Sequence, residues 1–562
     1  MERHYVTVGG ARQVHYRRAG SGPAVVILHE SPLSSRAYVP LAEVLARSFT
    51  VIALDHPGFG SSDPLGAEHP EIADYTDALV ETLDALGIER AALYGAHTGA
   101  CIALDLADRQ PQRAAGLVLD GLPRFSDKER AHLLAHYAPR IEVRWDGTHL
   151  LAAFNQRRDM KLFFPWFEKS EATRLAIAVP PAQQLHEEAL DLIKAKDHYW
   201  KGYEAAFRYV VEGPLARVTV PSAITARGDE ILGAPRSEGA SPAVRVELLP
   251  TDRGEWAAGI HRLFAELPAG SVPPAVPATE PLAAPGAMTL RYLRAPHGEL
   301  LARWWQAPAG APAGQRPLVV LHPSPFSGAL IVPLAQELAR TRGVLLLDTP
   351  GYGDSERLAL LEPSIADFAD AILAALRGLG DLDVLGMLTG SVIAAELALR
   401  SGGRVKGLVL DTIPLFEREF RRELYSDMTP ELPDPTGDGA LMVWAWGLAR
   451  DHAMWFPHDK QSPEFARSGP PPTPEHVHLR ALELLKTGKT YRCGPRAAFA
   501  YEYDKRLPRI ATRTLVCSHP QATAYRQMAE AAALIPGATL REHDGSWAGQ
   551  AALVTAFLDG AA

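Results

Sequence analysis

The chain has 562 residues, 47% of them hydrophobic and 22% charged, a balance that excludes a disordered chain and leaves core enough for two large domains. Its formal net charge of -9 argues against a polyanion as the main partner, because nucleic acid wants a basic face. Its three cysteines, Cys101, Cys493 and Cys517, are too few and too scattered for a disulfide framework or a cysteine-based zinc site.

Taken in chain order, residues 1–10 are mixed polar and lack the basic and apolar regions of a signal peptide. No apolar run approaches the ~20 residues of a spanning helix, so a cytoplasmic protein without a membrane partner is expected. AVVILH (24–29), TVIALD (50–55), RAALYG (90–95) and GLVLDG (116–121) are short, nearly continuous apolar runs. They alternate with amphipathic helix patterns such as DYTDALVETLDALG (74–87), the signature of a parallel sheet covered on both faces. Residues 126–216 break this rhythm, are rich in Trp, Phe, His and Arg, and read as a helical cap. The first domain is therefore placed at 1–267. A Pro/Ala-rich stretch at 268–286 cannot pack a core and suits a semi-stiff linker.

Beyond the linker the chain repeats itself. VVILHESPLSS matches VVLHPSPFSG, with His29 opposite His322 at an offset of 293. Asp55 and Asp348 share that offset, while Gly95/Gly386 and Asp120/Asp411 fall at 291. Arg158/Arg450, Phe164/Phe456 and His186/His478 fall at 292. An offset constant to two residues over such a length indicates duplication. The second domain runs over 287–562, with its own cap at 417–508, and contact between the two halves of the chain is expected. The shared Asp55/Asp348 and Asp120/Asp411 read as loop anchors at strand ends, and His186/His478 and Arg158/Arg450 as cap scaffolding.

An HxxP loop after a strand, a DxPGxGxS turn, a GxxxG strand-to-helix turn and a cap, in this order, resemble the α/β-hydrolase superfamily over both halves. The resemblance implies two tandem α/β-hydrolase-fold domains, each with a serine at the centre of a GxSxG elbow. Both centres have changed. The first turn is Gly95-Ala96-His97-Thr98-Gly99 and the second Gly386-Met387-Leu388-Thr389-Gly390. The family's acid position falls on Asp229 and, in the second half, on Gln521. Its histidine position falls on Glu255, before Trp256, and on Ser546. Any chemistry is therefore expected in the first half, from His97, Asp229 and Glu255, and the second half reads as a non-catalytic copy.

A helix N-terminus disfavours imidazolium, so His97 is expected neutral, as a base that activates water or abstracts a substrate proton. Glu30 stands where the family usually has a glycine, and its carboxylate opposes a developing oxyanion. His29, Glu30, Thr98, Asn155, Trp166, His198, Tyr203 and Trp256 are the candidate substrate-binding residues. His29 recurs in the second half, which favours a structural role for it. A metal on His29, Glu30, His97 and Glu255 is chemically allowed, but no tight ligand motif supports one, and no cofactor is expected. The resulting expectation is a hydrolase of ester, amide or C–C bonds, or a cofactor-free lyase, acting on a small, partly apolar carbonyl compound. The alternatives are a pseudoenzyme that binds a ligand or partner protein without turnover, or a composite site shared by both halves.

Overall fold

The computed structural model describes residues 1–276, 286–312 and 314–560. Residues 277–285, which fall within the expected linker, lie outside the described residues. The chain splits into two compact units, one drawn almost wholly from residues before that stretch and the other almost wholly from residues after it.

The first unit is an eight-stranded sheet of β1 (Glu2–Val8), β2 (Arg12–Ala19), β3 (Ala24–Leu28), β4 (Thr50–Leu54), β5 (Ala91–Ala96), β6 (Ala114–Asp120), β7 (Ser222–Arg227) and β8 (Val244–Leu249). Their spatial order is β1-β2-β4-β3-β5-β6-β7-β8. Only β1 and β2 run antiparallel to their neighbours. The expected two-sided cover is visible along β3, which is buried at every residue. Its Val26 and Leu28 enter one apolar cluster and its Val25 and Ile27 the other. A continuous apolar run is what such a strand needs, because both of its faces meet helices.

The second unit repeats this plan with β9 (Met288–Ala295), β10 (Gly298–Trp305), β11 (Leu318–Leu321), β12 (Val344–Leu347), β13 (Leu382–Met387), β14 (Val405–Asp411), β15 (Arg513–Ser518) and β16 (Thr539–Glu542). The order β9-β10-β12-β11-β13-β14-β15-β16 is the same. In each unit a set of helices separates the sixth strand from the seventh, where the caps were expected: from Asp127–His136 to Glu212–Arg217 in the first, and from Arg418–Asp427 onward in the second. No helix among the described residues is long and apolar enough to cross a membrane.

Two devices fix the site end of each sheet. Asp55, at the end of β4, is buried and accepts from His15 Nδ1 at 2.8 Å, the Ser35 amide at 2.8 Å and the Ser61 amide at 2.9 Å. Asp348 does the same work with the Gly328 amide at 2.9 Å and Arg303 at 2.8 Å. The second device is the elbow after β5. A Cβ on Gly95 would lie 2.3 Å from the Gly99 carbonyl oxygen, and one on Gly99 only 2.1 Å from that of Leu28. The two glycines let strand and helix touch and force a sharp turn between them. The residue at the tip, His97, takes φ +43° and ψ -105°. Leu388 holds φ +48° and ψ -117° at the second elbow. A side chain in that region costs of order 1–3 kcal/mol, and both domains bear the cost without a serine.

Candidate active site

His97 sits at the N-terminus of the helix Thr98–Arg109, with the Cδ2 and Nε2 atoms of its ring close against Gly121. Its backbone amide donates to the Asp120 carbonyl at 3.0 Å, which ties the elbow to the end of β6. Its Nε2 lies 3.0 Å from Glu230 Oε1, and its Nδ1 lies 3.7 Å from Glu30 Oε2. Glu230 hangs from the turn after β7, where its amide donates to the Arg227 carbonyl at 3.0 Å and its carboxylate accepts from the Leu232 amide at 3.1 Å. The imidazole is thus bracketed by two carboxylates.

Charge follows from this geometry. Burial works against a protonated His97, but the Glu230 carboxylate, reinforced by Glu30 and Asp120, outweighs it and pushes the pKa up to about 9. Burial likewise opposes an ionised Glu230, and the His97 ring overcomes it to hold that carboxyl at about 2. The resting pair is imidazolium and carboxylate. This corrects the expectation of a neutral His97, because a helix dipole is worth less than a full charge at 3.0 Å.

Behind the pair, Asp120 is buried and accepts from Tyr94 Oη at 2.8 Å, Thr225 Oγ1 at 2.8 Å and Trp256 Nε1 at 3.2 Å. In front lies a cavity of about 130 Å³. Its apolar walls include Phe125, Phe164 and Phe207, and its charged ones Arg157, Lys161 and Arg227. Arg157 is almost fully buried, pairs with Glu188 at 2.7 Å and stands 3.8 Å from Glu30 Oε1. Lys161 Nζ is 3.3 Å from Glu188.

Of the candidates from sequence, Glu30, His97, Thr98, Tyr203 and Asp229 line this cavity. Tyr203 donates to the Ser31 carbonyl at 2.8 Å and Thr98 to Ser31 Oγ at 3.2 Å, so both shape the wall. The partners expected for His97 are not the ones it has. Asp229 pairs instead with Arg227 at 3.2 Å. Glu255 is exposed in the first turn of the helix Arg253–Glu266, where its amide is capped by Asp252 at 3.0 Å. His29 is fully buried, accepting from the His56 amide at 2.9 Å and bonding the Glu30 carbonyl at 2.9 Å, a structural position. Trp256 is a core residue against Tyr94. Trp166 donates to the Tyr137 carbonyl at 2.8 Å, Asn155 is exposed and His198 packs near Gly58, all off the cavity wall. Among the described residues no group of three or more His, Cys, Asp and Glu is arranged to hold a metal ion.

In the second domain, Ser546 caps the helix Trp547–Leu558 and bonds Asp544 at 2.7 Å, and Gln521 is exposed. An imidazole missed in the sequence lies nearby: His543 is buried with its Nε2 3.6 Å from Asp411 Oδ2. The elbow residue of this domain is Leu388, whose side chain has no nucleophilic atom.

A model described as "alpha/beta hydrolase fold" matches residues 23–158 and 316–437, one stretch in each unit. Each half is an α/β-hydrolase-fold domain. A 2-hydroxy-6-oxo-6-phenylhexa-2,4-dienoate hydrolase of Comamonas testosteroni is 34% identical over 112 residues, 19% of this chain and 39% of its own length. A (E)-2-((N-methylformamido)methylene)succinate hydrolase of Acinetobacter baylyi is 25% identical over 205 residues, 36% of this chain and 69% of its own. An uncharacterized protein of Mycobacterium tuberculosis is 36% identical over 113 residues, 20% of this chain, and the match spans only a third of that relative. Among solved structures, epoxide hydrolase A from Mycobacterium thermoresistibile aligns at 20% identity and TM-score 0.40, covering 48% of this chain and 99% of its own.

Proposed function

We propose that the first domain is a hydrolase-like enzyme, acting on a small, partly apolar carbonyl compound, in which His97 moves protons at the position the fold normally gives to a nucleophile. The observation that carries this reading is the bracketed imidazole: Glu230 3.0 Å from one ring nitrogen and Glu30 3.7 Å from the other, at the floor of a cavity. Relatives named as hydrolases support hydrolysis over a lyase reaction.

The charged resting state sets the order of events. Imidazolium enters as the acid: Nδ1–H protonates the carbonyl oxygen as a water oxygen bonds to the carbonyl carbon, and Glu30 takes that water's proton. Proton donation removes the conflict between a developing oxyanion and the nearby Glu30. When the C–O, C–N or C–C bond then breaks, neutral His97 takes back the proton from the oxygen, and the leaving group takes the one held by Glu30. Glu230 keeps Nε2–H throughout and fixes the tautomer. No covalent intermediate forms. The second domain, with Leu388 at its elbow, takes no part in the reaction.

His97→Gln is expected to lower kcat/KM by about 10²–10⁴ on any ester, amide or β-diketone that the protein turns over. Single turnover in ¹⁸O-water should place label in the product and none in the protein. Full turnover by the His97→Gln protein would overturn the assignment. A compound that raises the melting temperature but yields no product would favour ligand binding without catalysis.

A further inference from the structure

The second domain keeps a cavity over its elbow, of about 190 Å³, and its charges are rearranged relative to the first. The 292-residue offset sets Arg480 opposite Glu188, Ala449 opposite Arg157, Ala453 opposite Lys161, and Arg467 opposite Leu175. The frame is the same in both caps: the bridge Phe163↔Arg174 recurs as Trp455↔Ala466. The first cavity therefore pairs its guanidinium with a carboxylate, and the second replaces that carboxylate with a guanidinium.

Arg480 is half-buried, with its Cζ 4.5 Å over the Phe326 ring. Its Nε donates to His476 Nε2 at 2.7 Å, and its two terminal nitrogens make no hydrogen bond among the described residues. Arg467 reaches in from the exposed rim, donating to the His452 carbonyl at 2.9 Å and to Thr523 Oγ1 at 3.0 Å. Among the described residues neither guanidinium lies within ion-pair distance of a carboxylate. Burial pulls Arg480 below its ordinary pKa, the nearby Arg467 charge adds to this, and no neighbouring acid offsets it. His452, 6% exposed, lines the same cavity and its Nε2 has no hydrogen-bond partner among the described residues. The amino end of the helix Thr389–Arg400 adds its partial positive charge, since Thr389 also lines the cavity. Unmatched cations beside an apolar cavity are costly unless something anionic completes them.

We infer that this cavity is a non-catalytic binding site for a small organic carboxylate, whose anionic end is held by Arg480 and Arg467 and whose apolar body packs against Leu388, Phe416, Phe456 and Phe499. Arginine's planar fork matches a carboxylate in two parallel hydrogen bonds. A cavity of about 150 Å³ accepts a benzene ring, so one of 190 Å³ has room for a ring with its carboxylate. The leucine at the elbow follows from this: a residue useless for attack is a good apolar floor. The site stands whether or not the first domain turns anything over.

The test is isothermal titration calorimetry on the full chain with benzoate, with benzamide as its neutral counterpart and inorganic phosphate as an anion without an apolar body. Benzoate should bind, and benzamide and phosphate should each bind at least about tenfold more weakly. Arg480→Gln and the rim variant Arg467→Gln should each weaken benzoate about tenfold or more, Arg480→Lys should recover part of the loss, and Leu388→Trp should abolish binding by filling the cavity. Arg467→Gln alters an exposed side chain, so the test does not hang on the half-buried position. Equal binding of benzamide or phosphate, or unchanged benzoate affinity in Arg467→Gln and Leu388→Trp, would overturn the proposal.

Discussion

In a Glu230→Gln variant, the His97 imidazole should titrate more than about one unit below the value near 9 that it holds in the parent. The ring is largely enclosed, and that enclosure alone drives a histidine below 6.5; what reverses the direction is first of all the Glu230 charge. Glutamine keeps an acceptor for Nε2–H and removes the charge, so the shift isolates electrostatics from geometry. The His97 Cε1 proton, followed by NMR against pH, reads it directly without a substrate. Once a substrate is in hand, the alkaline limb of its pH–rate profile should move down by the same amount, because the acid form of His97 is lost earlier.

The same pair makes a stability prediction whose sign is determined. His97 has a folded pKa above its unfolded value of 6.5, so its contribution is complete below about 6.5 and disappears as pH rises through about 9. Glu230 has a folded pKa below its unfolded value of 4.5, so its contribution is complete above about 4.5 and disappears as pH falls through about 2. Unfolding free energy of the parent should therefore fall by on the order of 2 kcal/mol between pH 6.5 and 9, and that of Glu230→Gln should be much flatter there. An equal slope in both proteins would mean that the ion pair does not form in solution.

Why Glu230 escaped the sequence and His97 did not is a matter of range. His97 was visible because the elbow is a local device: Gly95 and Gly99 bracket it, and steric contact between strand and helix dictates which residue stands at the tip. The sheet was legible for the same kind of reason, since strands buried on both faces must be continuously apolar. Glu230 and Asp229 are neighbours, and only the turn made by the Glu230 amide to the Arg227 carbonyl decides which carboxylate faces the ring. The family pattern pointed to Asp229, and the backbone placed its neighbour against His97. Glu255 failed differently. Asp252 already caps the last helix, so by Glu255 the chain has turned outward. Arg157 and Lys161 have helical spacing, but their partner Glu188 lies on another helix, and nothing local links the two. In the second domain the duplication itself hid the change. The repeat offset points to Ser546 and Gln521, whereas His543 lies three residues before Ser546, and the meaning of Arg480 depends on the carboxylate it replaces.

Gly121→Ala should disable the first domain as thoroughly as removing His97, although residue 121 carries no chemistry. A Cβ there would lie 2.4 Å from His97 Cδ2, 2.5 Å from Nε2 and 3.0 Å from Glu230 Oε2. These contacts lie on the very bond that charges the ring, so the methyl would separate imidazole from carboxylate, and lengthening that contact by an ångström removes most of the hydrogen bond. Gly121 also holds φ +59°, which adds a backbone cost of about 1 kcal/mol for alanine. The variant should lose about 1–3 kcal/mol of stability and its His97 should titrate below the parent value, as in Glu230→Gln. The second domain supplies the comparison. Thr412 follows Asp411 as Gly121 follows Asp120, and it tolerates φ +51° where the elbow residue is Leu388 and no ring has to lie against the backbone. Reverse substitution, Thr412→Gly, should therefore cost little beyond its hydrogen bonds to Asp411 at 2.6 Å and Ser518 at 2.9 Å. If Gly121→Ala instead leaves the His97 titration in place, the ring does not rest against Gly121 in solution, and the methyl leaves the ion pair with Glu230 intact.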